Sequence, residues 1–171
     1  LTIGEIAKNL MYSAVCDANF HKENILQSSK IILNSAFELA NEYKNLADEL
    51  CIGVVKGTQE GIGLGVEKFK TSFHYCALEE DLNLKEKELI DLEDEFIALL
   101  KAMAKDYDNP VAQILKNLLE NDLDTLFAKF KRLMSESRAQ IVLSINELKK
   151  KPKVDDFSRL TQSKLNVFKK E

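Results

Sequence analysis

The chain has 171 residues with an apolar share of 45%, a charged share of 30% and a net charge of −4, the make-up of an ordinary globular protein and not of a disordered one. That length suits one domain over residues 1–171, large enough to bury a core. With no Trp, two Pro and six Gly, the composition favours helix throughout and gives few strand signals, so the expected fold class is all-α.

The opening residues carry a capping-box spacing, Thr2 with Glu5, followed by Ile3, Ile6, Leu10 and Ala14 at helical intervals. From about Lys22 an amphipathic pattern runs through Leu33, Phe37, Ala40, Ala47, Cys51, Val55, Ile62, Val66 and Phe69 to about Leu78 without a proline. A single helix over that stretch would span about 85 Å, so the molecule is elongated or the stretch breaks once. A further helix is read from Leu84 to Tyr107, with Leu89, Phe96, Leu100, Met103 and Tyr107 on one side.

The run "DNPVAQILKNLLEND" restarts the pattern. Asn109 is placed to cap it and Pro110 to occupy the first helical position. Val111, Ile114, Leu115, Leu118 and Leu119 follow the helical template, and Leu133, Ile141, Ile145 and Leu148 carry it onward past a jog at "NDLD". "KKKPK" ends that helix, and Asp155 or Asp156 caps a short last one through Phe157, Leu160 and Phe168. There is no internal repeat. The expected architecture is an elongated antiparallel bundle of about three long helices with shorter terminal helices, joined by short linkers.

"GVVKGTQEGIGLG", residues 53–65, holds five of the six glycines. It lacks the G-x-x-x-x-G-K-[ST] pattern of a phosphate loop and the G-x-G-x-x-G of a dinucleotide fold. On a helical wheel Val55, Ile62, Val66, Phe69 and Phe73 fall within about 60° of one another, and Lys56, Gln59, Glu60, Gly63, Glu67 and Lys70 occupy an opposed sector. Gly53, Gly57, Gly61 and Gly65 line up between them. Five glycines oppose a helix by about 4 to 5 kcal/mol relative to alanine, which something must offset. The small-xxx-small spacing points to a glycine-zipper-like groove that receives another helix at short range. Those four glycines are therefore the candidate helix-packing and interaction residues. Ser29, Ala36, Ala40 and Ala47 project to nearly the same side.

Residues 79–95 hold nine acids and two lysines, and residues 129–153 hold eight bases and two acids. Facing one another, the two segments would favour one register. No catalytic, cofactor or metal site is assigned. His21 and His74 are too few for a histidine-rich metal site, and His74 and Cys76, two apart, point to different sides of a helix. The acidic run has neither the spacing nor the glycine of an EF-hand. Nucleic acid is not an expected partner, because an acidic chain lacks a basic face interleaved with aromatics.

Cys16, Cys51 and Cys76 match no zinc spacing and cannot all pair within one chain. They read as reduced thiols, which with the lack of a signal sequence suggests a cytoplasmic setting; the chain starts at Leu1 and not at Met, which leaves room for an upstream piece. In composition alone, amphipathic helices with an alanine–glycine stripe and no tryptophan are similar to phasin-like granule coat proteins, without a diagnostic motif. The expected function is that of a non-enzymatic structural or interaction protein, binding a protein partner or itself through helix packing. The alternative is a peripheral protein on a lipid or granule surface, and a metal-binding or enzymatic bundle ranks below both.

Overall fold

The computed structural model describes residues 1–17, 21–73, 84, 87, 91–121, 128–149 and 152–170. Among them are seven α-helices and no strand. These are α1 (Ile3–Asp17), α2 (Lys22–Glu42), α3 (Ala47–Phe73), α4 (Leu92–Ala104), α5 (Val111–Asn121), α6 (Ala128–Lys149) and α7 (Pro152–Lys170), with one 3-10 turn at Lys44–Leu46. No helix among the described residues is long and apolar enough to cross a membrane.

The first helix starts where the capping box puts it. The Thr2 backbone N–H donates to Glu5 Oε2 at 2.9 Å, and the Glu5 N–H returns a bond to Thr2 Oγ1 at 3.2 Å, so two of the unpaired N–H groups of the first turn are satisfied reciprocally. The Thr2 backbone bond, and then its hydroxyl, hold the Glu5 carboxyl below the usual range.

The amphipathic stretch from Lys22 breaks once, at Tyr43, whose φ of −106° and ψ of 72° leave the helical region. The Tyr43 N–H closes α2 by donating to the Leu39 carbonyl at 2.8 Å, and the 3-10 turn leads directly into α3. The small residues upstream are buried, Ser29, Ala36 and Ala40 on α2 and Ala47 at the start of α3. Because the chain turns between α2 and α3, Ser29, Ala36 and Ala40 do not extend the glycine row, whereas Ala47 lies on α3 itself.

Three other boundaries differ from the expected ones. The helix expected from Leu84 to Tyr107 is helical at Leu84, at Lys87 and over Leu92–Ala104. The run that opens at Leu92 follows Asp91 with φ 61°, a left-handed conformation that Asp tolerates better than most non-glycine residues. The last helix starts at Pro152, ahead of the expected caps Asp155 and Asp156, because proline's fixed φ suits a first helical position. By contrast α5 begins at Val111, so Pro110 stands just before the helix and not in its expected first position. The sequence features at Glu79–Asn83, His74, Cys76 and most of "NDLD" lie outside the described residues.

The core gathers around α3, which meets α1 most extensively and then α2, α6 and α5. Phe37 and Phe96 are fully buried, with Met11, Ile25, Leu33, Ile62, Leu92 and Leu100. The Tyr107 ring stands edge-on to Phe37 at 5.5 Å between centroids and 81° between planes, a favourable aromatic geometry. Cys51 has no exposed surface, and burial, followed by the nearby Asp48 charge, pushes its thiol up to about 12. A raised value means the native state holds this proton more tightly than the unfolded chain. Its stabilising effect is therefore complete below about pH 9 and is lost as the pH climbs toward 12. In denaturation series, the stability gap between the native sequence and Cys51→Ala is expected to stay constant up to pH 9 and then shrink, by at most about 1.4 kcal/mol per pH unit. A gap that stays constant through pH 11 would mean that the thiol is not desolvated.

Candidate interaction surface

Each of the four aligned glycines of α3 faces α1. A Cβ built on Gly53 would run into Ile3 Cγ2, and one on Gly57 into the Gly4 carbonyl oxygen, with Ala7 Cβ 2.9 Å away. On Gly61 it would lie 2.6 Å from the Lys8 carbonyl oxygen and 2.7 Å from Met11 Cβ, and on Gly65 it would meet Val15 Cγ1. None of the glycines has a positive φ, so the missing Cβ matters here and not backbone freedom. At Gly57 and Gly61 the neighbours include main-chain oxygen, so nothing short of moving α1 makes room.

This approach selects which side of α1 is buried. Ala7, Met11 and Val15 are buried, whereas Ile6 and Leu10 are exposed, contrary to the expectation from Ile3, Ile6 and Leu10. The row Gly4, Ala7, Met11, Val15 has small residues where the backbones come closest, and the branched side chains of Ile6 and Leu10 would hold the helices apart. At the outer edge Lys68 Nζ lies 3.9 Å from Cys16 Sγ and 5.8 Å from the centre of the Tyr12 ring, a geometry of cation–π attraction. Toward α2, the Ser29 hydroxyl donates to the Ile25 carbonyl at 2.8 Å and stands 3.4 Å from Met11 Sδ.

The polar sector of α3 is not uniformly solvated. Gln59 and Gly63 are buried, as is Thr58 on the apolar side. The Thr58 hydroxyl is satisfied by the Val54 carbonyl at 2.7 Å, and a Cβ on Gly63 would lie 2.8 Å from Leu133 Cδ2 of α6. Sequence periodicity assigned Gln59 and Gly63 to the charged side and missed that α6 covers part of it.

Among the described residues the acidic and basic segments meet through Glu93 and Arg138. Arg138 Nη1 of α6 lies 2.9 Å from Glu93 Oε1 of α4, and the Glu93 side chain is 9% exposed. Among the described residues Glu93 Oε2 and Gln59 Nε2 have no hydrogen-bond partner. A second pair joins Lys22 Nζ to Glu95 Oε2 at 3.2 Å, beside an open cleft of about 320 Å³ lined by His21, Lys22, Glu23, Asn24 and Lys87. Among the described residues no three His, Cys, Asp or Glu side chains come together as a metal site would require.

Among the described residues α7 carries a group of exposed apolar side chains. Phe157 and Phe168 are 71% and 77% exposed, and Leu160, Leu165 and Val167 are each about half exposed. Of the other helices α7 meets chiefly α6. Phe157, Leu160, Val167 and Phe168 fall within roughly 100° on a helical wheel, with Lys164 among them. Sequence reasoning that centred on the glycines gave α7 no role, although this one-sided spacing was the available signal.

The chain matches no family model, no curated protein and no solved structure.

Two outcomes test the geometry. Gly61→Ala is expected to destabilise the protein by about 1 to 3 kcal/mol, since overpacking against main chain outweighs the roughly 1 kcal/mol gain in helix propensity. Gly63→Ala faces only the movable end of Leu133 and is expected to be neutral or stabilising. Equal melting curves for the two variants would contradict the close approach. Arg138→Met leaves the buried Glu93 carboxylate uncompensated and should cost about 3 kcal/mol, with most of that recovered on adding Glu93→Met; if the single and double variants melt alike, the pair has no structural weight.

Proposed function

We propose that the chain is a non-enzymatic structural and interaction protein: a single-domain antiparallel helical bundle, held by a glycine-zipper-like contact, that docks a protein partner on α7. Gly53, Gly57, Gly61 and Gly65 serve the internal contact in this reading, since α1 already occupies the side on which they stand. They are packing residues and leave partner binding to another surface.

The observation that supports docking is the row on α7. Contiguous exposed apolar side chains on a soluble surface mark interaction sites, and Phe157 with Phe168 has the aromatic character of interface anchors. An amphipathic helix of this kind is recognised through side chains at intervals of three and four, which is the spacing of Phe157, Leu160, Lys164 and Phe168. A reducing, cytoplasmic setting suits the buried Cys51 thiol.

A lipid or granule surface is the second reading. It draws on the same row, because an amphipathic helix with flanking lysines also lies at membrane interfaces. Lys164 within the apolar row disfavours it, since a charge there would enter the acyl boundary.

Photocrosslinking separates the two. With benzoylphenylalanine in place of Phe157 or of Phe168, irradiation in the cells that make the protein is expected to join it to a second polypeptide. Adducts confined to its own chain or to lipid would refute protein docking on α7.

A further inference from the structure

We draw no further inference here: the strongest candidate, the row of exposed apolar side chains on α7, carries nothing beyond the docking reading already given, since nothing in the structure shows what covers it.

Discussion

The distance at which α1 approaches α3 governs much of the remaining structure. Where Gly57 meets the Gly4 carbonyl and Gly61 meets the Lys8 carbonyl, main chain lies against main chain. Dispersion and weak Cα–H···O contacts then replace the side-chain interdigitation of an ordinary helix pair. A helix seated this closely has little freedom to rotate, because any turn brings a Cβ into the space the glycines leave open. Fixing α1 in this way puts Met11 beside Ser29 and so carries the constraint from α3 through α1 to α2. The glycines thus act on the orientation of three helices although they sit on one.

Much of this was legible in the sequence, and the failures have physical causes. Thr2 with Glu5 marked the first turn because a capping box is local chemistry, independent of what the helix later packs against. The buried side of α4, with Phe96, Leu100 and Met103, was legible because that helix presents one strong apolar stripe. The buried side of α1 was not, because a size rule overrode the hydrophobicity rule. Ile6 and Leu10 are the greasier choice, but Gly4 and Ala7 are the ones that fit. The break at Tyr43 also lacks a signal, since neither glycine nor proline stands there and the apolar spacing continues on both sides. Periodicity reports which residues face inward, and a chain that turns while keeping its inward residues inward gives it nothing to detect.

The polar interior follows a different logic. Glu93 is nearly covered, and Arg138 answers only one of its oxygens. An ion pair in such a place gains little net stability over apolar packing, because the desolvation of both charges offsets much of their attraction. Its value is in discrimination: a carboxylate that must meet a guanidinium penalises every arrangement of α4 and α6 that separates them, where a leucine would accept several. Among the described residues the charge asymmetry between residues 79–95 and 129–153 is thus expressed in a directed contact.

The last helix differs from the others in what surrounds it. α1, α2, α5 and α6 all border α3, so their apolar residues find a common interior, while α7 meets chiefly α6 and keeps Phe157 and Phe168 in water. A helix of 19 residues draws only part of its stability from its own hydrogen bonds, since most helical stability in proteins comes from packing of an amphipathic face. Whatever covers the row consequently stabilises α7 as a helix as well as gaining from apolar burial, and the two effects are inseparable in a measured affinity. It follows that the same residues determine how well α7 is formed and how well it binds. A surface built this way can be loose when alone and definite when occupied, a property that the α1–α3 contact, closed by glycine against main chain, does not share.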